Sequence, residues 1–185
     1  MVLWIVLGIV ALLIIWIIGM YNSFVRSKIK IDNSWSDINV YLKKRFDLIP
    51  NLVNTVKGYA AHESQTLEKV IQARNAAAAV PSNDVAKVAQ ANEALGGALR
   101  GLLAVAEGYP DLKANQNFLQ LQQALGNIET DLANSRRYYN ATVRDYNTSI
   151  KQFPGVIIAN STGFTAREFF ELESATQAQN VEVKF

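Results

Sequence analysis

The stretch VLWIVLGIVALLIIWIIGM, residues 2–20, runs for nineteen residues without a charge, and thirteen of them are Leu, Ile or Val. An α-helix rises about 1.5 Å per residue, so this run covers roughly 29 Å, the thickness of a bilayer's hydrocarbon core. Each Leu, Ile or Val favours insertion by about 0.3 to 0.6 kcal/mol, which outweighs the smaller cost of Gly8 and Gly19. Trp4, Trp16 and Tyr21 stand near the ends, where amphipathic rings settle at the headgroups. A cleaved signal peptide would call for a basic leading region, a shorter apolar core and a small-residue cleavage site, and the stretch has none of these. The chain has no cysteine to acylate. Residues 2–21 therefore read as a retained transmembrane anchor, and 22–185 as one polar domain large enough to bury a core.

The flanks set the expected orientation. No charged side chain precedes Arg26, whereas Arg26, Lys28 and Lys30 follow within ten residues of Met20. The positive-inside bias then keeps the C-terminal domain in the cytoplasm of a single-pass cell-membrane protein, with a short N-terminus outside. Residues 26–60 carry seven basic and three acidic side chains, and the remainder eleven and thirteen. This local excess reads as a membrane-proximal basic collar facing anionic lipid, worth about 1 kcal/mol per well-placed cation. Nucleic acid is not an expected partner, since no longer basic face or recognition motif accompanies the collar.

Working outward from the span, the pattern is helical. Ile31, Trp35, Ile38, Leu42, Ile49, Leu52, Val56 and Tyr59 keep the 4-3 spacing of a helix seam, interrupted at Arg45. Phe118, Leu121, Leu125, Ile128, Leu132, Tyr139, Val143, Tyr146, Ile150 and Phe153 form a second seam. Between them, Pro81 to Asp84 is a turn in which Ser82 or Asn83 caps a third helix, with Asp84 in its first turn, running to about Ala106. The expected fold is all-α: a transmembrane helix, then an elongated antiparallel bundle of three long helices plus short C-terminal helical segments. Pro50 has no N–H for the carbonyl of Phe46, so the first long helix is expected to bend or break between Arg45 and Leu52. Ala91, Ala94, Gly97, Ala98 and Gly101 make a small face expected to receive another backbone. After Pro154-Gly155, residues 156–158 read as an apolar turn and 160–163 as a loop. Thr165 is expected to cap a short helix to about Ala175, with Gln177 to Phe185 extended or frayed.

The chemistry that enzymes need is sparse. His62 is the only histidine, and His62-Glu63 lacks the second histidine of a zinc-binding helix. Gly-x-Ser-x-Gly is absent, and Gly96-Gly97 follows no strand, which removes a nucleophile elbow and a phosphate loop. Glu168, Glu171 and Glu173 read as a solvated acidic face. No cofactor or metal is expected. Three polar clusters stand out: Lys43 to Asn51, with Arg45 on the seam; Arg136-Arg137-Tyr138-Tyr139-Asn140, at the matching gap in the second seam; and Asn33-Ser34-Trp35-Ser36. Arg45, Asp47, Arg136 and Arg137 are the candidate layer, either fixing helix register or docking a partner.

The order of these pieces resembles the LemA family of bacterial membrane proteins. The likeness rests on Tyr21-Asn22, Asn33-Ser34-Trp35, Arg45-Phe46-Asp47-Leu48-Ile49-Pro50-Asn51-Leu52-Val53, Val56-Lys57-Gly58-Tyr59, His62-Glu63 and Ala73-Arg74. It continues through Arg136 to Asn140, Tyr146-Asn147, Phe153-Pro154, Gly163-Phe164 and Phe169-Phe170-Glu171. The resemblance implies a helical bundle on one N-terminal span. It carries no catalytic residue, and it implies a setting in membrane organisation or envelope maintenance.

Two functions of different classes follow. The favoured one is a non-enzymatic membrane-anchored scaffold or adaptor whose partners are the bilayer and either a second copy or another membrane protein. The alternative is a membrane-bound hydrolase or transferase using His62 and Glu63, which requires them to line a pocket with other titratable groups.

Overall fold

The first helix, α1, runs unbroken from Val2 to Lys57 in the computed structural model, which describes residues 1–170. It passes the boundary at residues 21 and 22 without a linker. Its apolar N-terminal part is long and apolar enough to cross a membrane, and none of that window is buried. Beyond it come α2 (Ser64–Ala79), α3 (Val85–Ala106), the single turn α4 (Pro110–Lys113), α5 (Gln116–Lys151) and α6 (Gly155–Thr162). The all-α class holds, with no strand among the described residues.

The expected break at Pro50 does not occur. Arg74, on α2, donates from Nε to the carbonyl of Phe46 at 3.2 Å, replacing the hydrogen bond that proline cannot make. The chain turns later instead, over residues 58–63. Tyr59, read as the last position of the first seam, is exposed, and Ala60 is buried in its place. Asp84, rather than Ser82 or Asn83, is the N-cap of α3 and accepts from the backbone N–H of Lys87 at 3.0 Å. The small face of α3 is divided: Ala91 and Ala98 are half-buried against the core, whereas Ala94, Gly97 and Gly101 are exposed, and among the described residues only the Arg100 guanidinium lies near Gly97.

The C-terminal expectations also change. Residues 156–158 and 160–162 are not a turn and a loop; they form α6. Gly163 ends this helix at φ 77°, a left-handed cap that costs glycine nothing. No helix starts at Thr165: residues 164–169 are an irregular strap. The parts of that expectation falling on Glu171, Glu173, Ala175 and Gln177 to Phe185 lie outside the described residues.

The described residues divide into two compact units, one of Met1–Arg45 with Gly126–Phe169, the other of Phe46–Leu125 with Phe170. In the first, α1 and α5 are antiparallel. Arg45 meets Glu129, Trp35 stacks against Tyr139 with ring centroids 5.3 Å apart, and the Ser34 and Thr142 hydroxyls lie 3.4 Å apart. Phe24, Ile31, Ile38, Leu42, Leu132, Val143, Tyr146 and Ile150 are buried there. The second unit buries an aliphatic core that includes Ile49, Leu52, Val56, Val70, Leu95, Leu102 and Leu112.

Candidate functional site

The strap after α6 explains much of the polar sequence in the span-bearing unit. Irregular backbone needs partners for its carbonyls and amides, and α5 supplies them from side chains. Tyr146 Oη donates to the carbonyl of Thr165 at 3.0 Å, and Tyr139 Oη to that of Glu168 at 2.9 Å. Asn147 holds both sides of Arg167, donating to its carbonyl at 2.9 Å and accepting from its N–H at 2.8 Å. The Arg167 guanidinium reaches Asp32 on α1. Burial pushes the Tyr139 phenol above its ordinary value; Arg167 pulls it back, while Glu168 and Asp32 push it further up. Burial also raises Tyr146, against an opposing pull from Arg167. Both hydroxyls therefore keep the proton they donate.

The strap begins beside the end of the apolar run of α1. Phe164 makes edge-to-face contacts with Tyr21 and Phe24, each at 5.5 Å between centroids. Gly155 lies so close to the last turn of α5 that a Cβ would fall 2.3 Å from the carbonyl oxygen of Ser149, and 3.1 Å from Phe24 Cζ. A larger residue there would clash with backbone. The collar residues Arg26, Lys28 and Lys30 are exposed, with Lys30 Nζ 5.5 Å from the ring centre of Tyr138.

The candidate polar layer is placed as follows. Arg45 is buried and its Nη2 pairs with Glu129 Oε1 at 2.7 Å, while Glu129 keeps 43% of its side chain exposed. The acidic partner of Arg45 thus stands two helical turns before Arg136, a position that sequence reasoning did not single out. Its signal was the spacing: Glu129 follows the seam residue Ile128 on α5. Arg137 is exposed and donates to Asn134 on its own helix. Asp47 is exposed and belongs to the second unit.

In that second unit the conspicuous residues serve the turn between α1 and α2. Asn115 donates to Tyr59 Oη at 2.8 Å and accepts from the N–H of Phe118 at 3.0 Å, capping α5. Tyr109 Oη donates to Glu63 at 3.3 Å. His62 is exposed, and neither it nor Glu63 lines the shallow pocket formed by Leu103, Glu107, Lys113, Phe118, Leu119 and Gln122. Among the described residues no three His, Asp or Glu side chains cluster closely enough to hold a metal ion. The geometry does not bring His62 and Glu63 into the converging set that the hydrolase reading requires.

Comparison with known proteins finds several relatives. Three relatives are magnetosome proteins MamQ, two of them from one organism. That of Paramagnetospirillum magneticum (MamQ 2) is 27% identical over 179 residues, covering 84% of this chain and 66% of the relative. That of Magnetospirillum gryphiswaldense is 26% identical with the same coverage. Protein LemA of Metamycoplasma hominis is 27% identical over 137 residues, covering 74% of this chain and 62% of its own. The chain thus spans just under two thirds of the length of these relatives. The LemA family profile matches residues 34–185, which include the Ser34-Trp35 pair, the Pro50 segment and the tyrosines that hold the strap, and the chain belongs to the LemA family.

Proposed function

We propose that the protein is a non-enzymatic membrane-anchored scaffold, with an anchor over residues 2–21 and a helical domain over 22–185. It holds a second copy of itself or another membrane protein at the bilayer surface. The observation that carries this reading is the continuity of α1: one helix bears a wholly exposed apolar window at Val2 to Gly19 and, from Phe24 onward, the buried residues of a helical unit. A domain joined to a span without a linker has its first turns confined to the membrane surface, where a docking function gains from a raised local concentration. The exposed collar of Arg26, Lys28 and Lys30 faces the anionic headgroups of the cytoplasmic leaflet, and the domain lies in the cytoplasm. The naming of relatives as magnetosome proteins supports a role in membrane organisation, with envelope maintenance as the wider setting.

Cross-linking in intact membranes at native expression, with identification of the captured chains, tests the proposal. Discrete adducts with a second copy or one recurrent membrane protein are expected. Uniformly monomeric protein at full labelling would remove the scaffold reading. A reporter fused after Phe185 tests orientation: it should be active in the cytoplasm, and activity of an export-dependent reporter would reverse the assignment.

A further inference from the structure

Beyond Met20, the two most exposed large apolar side chains among the described residues are Phe153, at 79%, and Ile157, at 60%. They flank Gly155, two residues to either side, and Gly155 is the residue whose backbone lies against Phe24. Phe24 is four residues past Met20, about 6 Å along the helix axis. The headgroup zone beyond the hydrocarbon core is roughly 5 to 8 Å deep on each side. Phe153 and Ile157 therefore stand at headgroup depth whenever the span is seated in a bilayer. The antiparallel register gives the same level independently: continued from Trp35 opposite Tyr139, it brings Ile150, in the last turn of α5 beside the exposed Lys151, opposite Phe24.

We propose that the start of α6 is a second membrane contact: Phe153 and Ile157 insert at the boundary between headgroups and acyl chains, beside the span. The bilayer is the occupant because this patch belongs to the same unit as the exposed apolar run of α1 and, through Gly155 against Phe24, lies at the end of that run, where the collar begins. An apolar pair at the start of a short helix, flanked by Lys151 and near Arg26 and Lys28, has the composition of an interfacial element, apolar side in and cations at the phosphates. A single span leaves a helix free to rotate about its axis. A contact to one side of that axis removes this freedom, so the α1–α5 pair is presented in one orientation to whatever docks on it. This inference rests on the membrane-anchor reading.

The chain has no cysteine, so single-cysteine variants can be labelled without background. The full chain carrying Phe153→Cys, Ile157→Cys, Leu13→Cys or Asp131→Cys is labelled with an environment-sensitive fluorophore. Each variant is reconstituted into nanodiscs of phosphatidylcholine and phosphatidylglycerol, with a nitroxide quencher either at the lipid headgroup or deep in the acyl chain. Labels at positions 153 and 157 should be blue-shifted and lose more fluorescence to the headgroup quencher than to the deep one. The label at position 13 should show the reverse preference, and that at position 131 should respond to neither. Water-like emission and no quenching at 153 and 157, with position 13 still quenched from the chain, would overturn the second contact and leave the anchor standing. Stronger quenching of 157 by the deep probe would overturn the interfacial placement. Loss of quenching at position 13 would remove the anchor reading and this inference together.

Discussion

The unit that carries the span and the unit built on the α2–α3 hairpin are both helical, yet they are held by different kinds of contact. Around the hairpin, the buried cluster from Ile49 to Leu125 is aliphatic apart from Phe118, and the described residues of that unit bury one polar side chain, Asn92, and a second ring, Phe170. In the span-bearing unit the interior mixes Ile31, Ile38 and Leu42 with Ser34, Arg45, Thr142, Tyr139 and Tyr146. Aliphatic burial is strong but tolerant of small slips, whereas a buried hydroxyl or guanidinium is satisfied in one register only. The unit that carries the apolar N-terminal run is thus the one specified most closely in register.

The largest effects should come from cavities. Leu102→Ala in the hairpin unit and Ile38→Ala in the span-bearing unit remove fully buried side chains, and each should cost about 2 to 5 kcal/mol. Thermal unfolding of the full chain in detergent, followed by circular dichroism, should show lower midpoints for both. Hydrogen exchange should place the first loss of protection near the substituted residue. If Ile38→Ala were silent while Leu102→Ala was not, the first unit's stability would rest on its polar contacts alone, and the contrast would be sharper than drawn here.

A smaller effect probes how α1 passes Pro50. Arg74→Ala removes the donor to the Phe46 carbonyl and should cost about 1 to 2 kcal/mol, a charge-assisted hydrogen bond with partly buried packing. Pro50→Ala restores a backbone donor to the same carbonyl, so the cost of Arg74→Ala should shrink in that background. Equal costs in the two backgrounds would mean that Arg74 acts through something other than the proline gap.

Arg45 tests the polar side of the comparison. Its partner Glu129 is nearly half exposed, so solvent screens the pair, and Glu129→Ala should cost only about 1 kcal/mol. Arg45→Leu should leave the midpoint unchanged or raised, because a packed apolar side chain often does better than a buried charge. If the residue sets register, the Leu variant should also show broadened exchange of amides along α1 and α5. If it docks a partner, the fold should be untouched and membrane cross-links lost. A variant matching the parent in all three measurements would leave Arg45 without either role.

Much of this was legible in the residues themselves. The long apolar N-terminal helix, the all-α class and most positions of the two seams follow from charge-free length and 3.5-residue spacing, since both report which faces avoid water; the last position of each seam, Tyr59 and Phe153, is exposed instead, because the helix has ended there. The exceptions have local causes. The break near Pro50 failed to appear because its remedy, Arg74, lies twenty-four residues away and no periodicity connects them. The turn at residues 58–63 was overlooked because Tyr59 continued the apolar spacing, although Gly58 beside it was a signal against a continuing helix. The strap is not legible in place of the helix expected from Thr165, because its partners, Tyr139, Tyr146 and Asn147, look like ordinary seam and surface residues of α5. Of the candidate layer, the burial of Arg45 was visible from its seam position. Glu129 was not, since a lone acidic residue beside a seam is usually just solvated.

The smallest predicted effect concerns the strap at alkaline pH. Tyr139 and Tyr146 are raised above the ordinary phenol value of 10.0 because burial disfavours the phenolate, and each phenol donates to a strap carbonyl. A folded-state value above the unfolded one contributes stability that is complete below about pH 10 and is lost as pH rises through the folded-state values. Tyrosinate absorbance of the full chain should therefore show a late-ionising component above that pH, and the strap should loosen as it appears. Tyr139→Phe and Tyr146→Phe should each remove part of the late component and cost about 1 kcal/mol at neutral pH through one lost hydrogen bond. At pH above the late step the variants should approach the parent in stability, because the bonds they lack are by then lost in the parent too. A parent titration in which all tyrosines ionise together near the ordinary value would mean that the strap leaves both phenols open to water, and the membrane-proximal unit would lose one of the contacts that distinguish it from the hairpin unit.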